Sequence, residues 1–78
     1  MKREYSKQAV KFLDSQDDES YIRIKNAIRK LPLGDVKKLK GYKDKYRLRV
    51  GDYRVIFRRT GNNMYCIETI GNRGQMYK

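Results

Sequence analysis

Seventy-eight residues, 38% of them apolar, make one domain, residues 1–78, with a single thin core. Twenty lysines and arginines against nine aspartates and glutamates leave a net charge of +11. No apolar run approaches the ~18 residues that a membrane helix needs, the one cysteine (Cys66) excludes an internal disulfide, and there is no histidine.

Residues 2–5 read as a short strand. Ser6 suits the cap of a helix that begins at Lys7 and ends near Ser15. Ala9, Val10 and Leu13, with Phe12 nearby, form its apolar stripe. Asp17-Asp18-Glu19-Ser20 reads as the acidic first turn of a second helix, where carboxylates suit the dipole. Tyr21, Ile24, Ile28 and Leu31, joined by Ala27, recur at helical spacing until Pro32 and Gly34 end the helix. Lys37, Lys38, Lys40, Lys43 and Lys45 then make a basic loop around Gly41-Tyr42. As mobile point charges they suit attraction to a phosphate backbone more than geometric recognition, or simply solubilise the loop.

From Lys45 the period changes to two. Tyr46, Leu48 and Val50 alternate with Lys45, Arg47 and Arg49, and after Gly51-Asp52 the residues Tyr53, Val55 and Phe57 alternate with Arg54, Ile56 and Arg58. A two-residue loop at Gly51-Asp52 pairs Val50 with Tyr53, Arg49 with Arg54, Leu48 with Val55, Arg47 with Ile56, Tyr46 with Phe57 and Lys45 with Arg58. A third strand follows over 64–70, after a turn at Thr60-Gly61-Asn62-Asn63. The fold class is α+β, a short N-terminal strand and a helical hairpin packed on a small antiparallel sheet.

The charge is uneven. Residues 1–36 hold 8 basic and 6 acidic side chains, whereas residues 37–78 hold 12 basic and 3 acidic ones (Asp44, Asp52 and Glu68). In the hairpin one face is apolar. The other carries Lys45, Arg47, Arg49, Arg54 and Arg58, relieved only by Ile56. Solvated faces usually mix signs, and like charges placed opposite each other cost a few tenths of a kcal/mol or more. With no acid expected on this face, a polyanion lying across it is the predicted remedy. An anionic membrane is a poorer match, because the basic half does not read as an amphipathic helix.

Few carboxylates and no metal-ligand spacing argue against metal-assisted cutting of DNA. RNA carries its own nucleophile, the 2′-hydroxyl. A protein that cuts it need only orient the chain, move protons and stabilise developing charge, with no cofactor and no metal. Cys66 reads as a small buried hydrophobe. The opening Met1-Lys2-Arg3-Glu4-Tyr5 lacks the apolar stretch of a secretory signal, so a cytoplasmic, reducing location is expected.

Leu39-Lys40-Gly41 and the run Tyr46-Arg47-Leu48-Arg49-Val50-Gly51-Asp52-Tyr53-Arg54-Val55-Ile56-Phe57 resemble the central signature of the RelE/ParE toxin superfamily. Ile70-Gly71-Asn72-Arg73-Gly74, with Tyr77-Lys78, resembles its closing signature, so the likeness spans nearly the whole chain. It implies a toxin of a type II toxin–antitoxin pair, monomeric when alone and silenced by a cognate antitoxin protein. RelE-type members enter the 30S A site of the ribosome and cut messenger RNA, leaving a 2′,3′-cyclic phosphate. By that resemblance the catalytic set is Arg47, Arg49, Arg54, Arg73 and Tyr77; the charge pattern, apart from any resemblance, assigns RNA binding to Lys37, Lys38, Lys40, Lys43, Lys45 and Arg58. Arg54 and Arg73 would stabilise the phosphate, and Tyr77 would orient or deprotonate the 2′-hydroxyl.

Two features depart from RelE. Arg47 and Arg49 replace lysines, and arginine stays protonated, which moves proton abstraction to Tyr77 or water. The spacing from Arg73 to Tyr77 is also shorter. Composition alone leaves Arg73 and Tyr77 in a basic tail. Two other readings stay open: a ParE-type poison of DNA gyrase, which shares the hairpin, and a non-catalytic RNA-binding module.

Overall fold

The computed structural model describes residues 2–61 and 63–72. In chain order these form β1 (Lys2–Tyr5), α1 (Lys7–Asp14), α2 (Asp18–Arg29), β2 (Asp35–Lys38), β3 (Lys45–Val50), β4 (Tyr53–Thr60) and β5 (Met64–Asn72). The strands make one five-stranded sheet in the order β1-β5-β4-β3-β2. Every neighbouring pair is antiparallel except β1 with β5. The α+β class read from the sequence is the observed one.

Both helices start on the expected caps. Ser6 Oγ accepts from the Ala9 amide at 3.1 Å and Asp17 Oδ1 accepts from the Ser20 amide at 2.8 Å, each satisfying an orphan donor. Asp18 and Glu19 occupy the first turn of α2. Its C-terminal end is met by a cation from the other end of the chain. Arg3 Nε donates to the Ile28 carbonyl at 3.0 Å and its Nη2 donates to the Arg29 carbonyl.

The Ser20 amide, followed by the Ser20 hydroxyl, holds the Asp17 carboxyl below its ordinary value of 3.8, with a smaller pull from Arg23. A carboxyl whose pKa is lowered by folding stabilises the fold above its unfolded pKa. That stabilisation fades as pH falls through the lowered folded value. Asparagine caps equally well without titrating. The melting temperature of Asp17→Asn should therefore match the wild type at neutral pH and fall less steeply in acid below pH 3.8. Parallel acid profiles of the two proteins would contradict this assignment.

The core lies between the helices and one sheet face. Ala9 and Leu13 of α1 and Ile24 and Ile28 of α2 meet Leu48, Val50, Val55, Phe57, Tyr65, Ile67 and Ile70. α1 rests on β5 and α2 on β3. The expected stripes need one correction each. Val10 and Tyr21 are 44% and 37% exposed, because the sheet is wide enough to cover only the inner stripe of each helix.

The β3–β4 hairpin has the predicted register at all six pairs from Lys45↔Arg58 to Val50↔Tyr53. Gly51 has φ +57°, which suits glycine at the first position of a two-residue turn. The expected basic loop is partly a strand. Lys37 and Lys38 belong to β2, an edge strand paired with Arg47 and Tyr46 of β3. The loop proper is shorter and runs over 39–44. It is fastened by Leu39 N–H to the Lys45 carbonyl and Arg59 N–H to the Asp44 carbonyl, both at 3.0 Å.

One irregularity re-aims a side chain. β4 and β5 pair Ile56 with Thr69 but Phe57 with Ile67, leaving Glu68 as an extra, bulged residue. The bulge lets both Ile67 and Ile70 stay in the core. β1 ends at Tyr5, so the outer edge of β5 beyond Ile67 has no strand beside it. The start of α1 serves that edge instead. Ser6 Oγ donates to the Glu68 carbonyl at 2.6 Å, and the Gln8 amide both accepts from Ile70 N–H at 2.9 Å and donates to the Ile70 carbonyl at 2.8 Å.

Candidate nucleic-acid interface

The sheet face away from the helices carries Arg47 and Arg49 from β3, Arg54 and Arg58 from β4, and Lys45 at the start of β3. Its expected freedom from acid is corrected by the structure. Glu68, turned to this face by the bulge, lies 3.2 Å from Lys45 Nζ and 3.8 Å from Arg58 Nε. Asp44 reaches Arg58 Nε at 3.4 Å, and Asp35 reaches Arg47 Nη2 at 3.6 Å. The acids arrive from β2, from the 39–44 loop and from β5, none of which the hairpin alone reveals. Lys45 also sits 4.7 Å over the Tyr42 ring.

The face is therefore divided. Its Lys45–Arg58 end is largely neutralised. Towards β2, Lys37, Lys38, Leu39, Lys40, Arg47, Arg49 and Arg54 line a cleft of about 320 Å³. Of the eleven residues expected from the sequence, six meet here. Lys43, Lys45 and Arg58 lie outside the cleft, and Arg73 and Tyr77 lie outside the described residues. Leu39 is an addition that charge alone did not suggest. A second groove of about 330 Å³ lies between α2 and β2–β3, but its walls mix Leu33, Leu48 and Val50 with Arg23 and Asp35.

Inside the cleft the charges are set with care. Arg49 stands directly opposite Arg54 across the hairpin and opposite Asp35 across the edge pair. Asp35 spends its carboxylate on Arg47, whereas Arg49 has no ion pair among the described residues. Arg47 is only 8% exposed, and its Nη1, like the Nε of Arg49, is buried with no hydrogen-bond acceptor among the described residues. A buried guanidinium whose one paired carboxylate among the described residues is solvent-exposed is undercompensated. An anion with several oxygens, such as a phosphate, would supply the missing acceptors. Cys66 is half-buried on this same face opposite Arg58, so it is not the core residue expected. No cluster of three or more potential metal ligands occurs among the described residues, and no described helix is long and apolar enough to cross a membrane.

The family model described as the ParE toxin of the type II toxin–antitoxin system, parDE, matches residues 3–77. The chain belongs to the ParE toxin family. This ParE-family toxin is similar to a chain of the RelB–RelE antitoxin–toxin complex from Methanococcus jannaschii, with 29% identity over 96% of this chain and 95% of that one and a TM-score of 0.79. A chain of the archaeal RelE–RelB complex from Pyrococcus horikoshii is 32% identical over 95% of this chain and 96% of that one, with a TM-score of 0.76. A chain of the E. coli DinJ–YafQ toxin–antitoxin complex, 22% identical over 97% of this chain and 96% of that one, shares the fold with a TM-score of 0.68. No curated protein is a significant match. The ParE-family chain is thus a type II toxin–antitoxin toxin of the RelE/ParE superfamily.

Proposed function

We propose that this toxin is a ribosome-dependent, metal-independent endoribonuclease that cuts messenger RNA in the A site. The observation that carries the reading is Arg47, a buried guanidinium with a donor unmet among the described residues, on the wall of a cleft lined by six cations. In this mechanism the 2′-hydroxyl loses its proton and attacks the adjacent phosphorus. The bond to the 5′-oxygen breaks, that oxygen takes a proton from water, and the products are a 2′,3′-cyclic phosphate and a 5′-hydroxyl. Arg49 and Arg54 face the equatorial oxygens and stabilise the added negative charge, while Lys37, Lys38 and Lys40 hold the flanking backbone. None of the arginines serves as the base, because each stays protonated. Arg73 at the leaving oxygen and Tyr77 at the 2′-hydroxyl complete the set on the family pattern. A cognate antitoxin, the counterpart of the RelB and DinJ chains crystallised with the similar toxins, silences the protein in the cytoplasm by covering this face.

The family model itself favours a second reading, a ParE-type poison of DNA gyrase. The two separate in one assay. Purified toxin added to translating ribosomes should yield messenger fragments ending in cyclic phosphate, and Arg73→Ala should yield few. Intact messenger together with gyrase-dependent DNA breaks would replace the ribonuclease by the gyrase poison.

A further inference from the structure

We propose that Glu68 is a built-in counter-anion that closes one half of the basic face and confines an RNA backbone to the cleft between β2 and β4; this rests on the RNA-binding reading above. The carboxylate bridges Lys45 Nζ at 3.2 Å and Arg58 Nε at 3.8 Å, the place a phosphate would take if the row of cations were continuous. The backbone sets the face that Glu68 takes. The bulge at Glu68 puts two successive residues, Glu68 and Thr69, between the core residues Ile67 and Ile70. Regular alternation between those two isoleucines is impossible, and the extra residue delivers its side chain to the open face. Ser6 N–H donates to the Ile67 carbonyl and Gln8 pairs with Ile70, which holds the backbone on either side of it.

The two cations are not equally dependent on Glu68. Arg58 keeps Asp44 at 3.4 Å, whereas Glu68 is the one carboxylate paired with Lys45 among the described residues. The Lys45, Arg58 and Glu68 side chains are 23%, 42% and 31% exposed, so a polyanion can reach them. Neutralising Glu68 therefore adds about one cation to the phosphate track, chiefly Lys45. With the charge present, backbone contacts end near Arg54 and Arg47, and the chain is steered across the 39–44 loop and β2 instead of along β5.

The test is the salt dependence of binding to a single-stranded oligoribonucleotide, free of ribosomes, for wild type, Glu68→Gln, Glu68→Ala, Glu68→Gln/Lys45→Ala and Arg49→Ala/Arg54→Ala, each shown by thermal melting to be folded. Each phosphate contact on a single strand adds about 0.7 to the slope of log affinity against log salt. Glu68→Gln and Glu68→Ala should steepen the slope by about that amount and bind more tightly at low salt, and adding Lys45→Ala should abolish the gain. Slopes equal to the wild type in both Glu68 variants, with the arginine pair still required for binding, would overturn the role of Glu68 alone. Undiminished binding by Arg49→Ala/Arg54→Ala would overturn the RNA cleft itself.

Discussion

Arg49→Ala/Arg54→Ala will fold, will fail to arrest growth, and will cut messenger on translating ribosomes at least about 10²-fold more slowly than the wild type, the usual cost of losing a donor to a charge-developing oxygen. The pair is the informative choice because of what surrounds each arginine. Arg47 is buried and bridges to Asp35, so its removal would leave a void and an unpartnered acid. Arg49 and Arg54 are half-buried and directly opposed. Replacing both removes a like-charge pair, which is worth a few tenths of a kcal/mol to the fold. A melting temperature within a few degrees of the wild type, with activity lost, separates chemistry from stability. Full toxicity in a folded double variant would remove both residues from the mechanism.

The largest effect on stability belongs to Phe57→Ala. Phe57 is 2% exposed and stacks on Tyr46, with ring centroids 5.5 Å apart, while meeting Tyr65 edge-on at 5.5 Å. Truncating a buried phenylalanine costs about 3–5 kcal/mol. At roughly 0.05–0.15 kcal/mol per residue, a chain of this length has only about 4–12 kcal/mol in total. The variant should be largely unfolded or melt near ambient temperature. Its RNA affinity should go with its fold, although no cation has changed, because Phe57 holds β3 and β4 over the core in the register that opposes Arg49 to Arg54. Ile22→Ala, at a position 55% exposed, should change stability by less than about 0.5 kcal/mol. Chemical denaturation of the two variants beside the wild type checks both statements. A Phe57→Ala protein as stable as Ile22→Ala would show that the core is not where the rings place it.

The hairpin and both helix starts are legible in the sequence because each is local. Period-two alternation with a glycine turn sets the β3–β4 pairing, and an oxygen-bearing side chain before an apolar stripe sets a cap. β2 is not legible in this way. Asp35-Val36-Lys37-Lys38 has one apolar residue and becomes a strand only through its pairing with β3. The acids that divide the basic face are missed for the same reason, since Asp35 and Glu68 reach it from other strands. Glu68 did leave a trace. Ile67 and Ile70 are three apart within one strand, and two core residues at that spacing require a bulge. The burial of Arg47 has no local sign, because it depends on β2 lying alongside.

On the proposed reading, the cleft beneath Lys37, Lys38, Lys40, Arg49 and Arg54 receives the RNA backbone. Arginine Nε–H resonances followed by NMR during stepwise addition of single-stranded RNA test it most directly. Arg47, Arg49 and Arg54 should shift first and most, while Arg23 and Arg29 on α2 stay still. Shifts gathered on α2, with the three β3–β4 arginines unmoved, would contradict it.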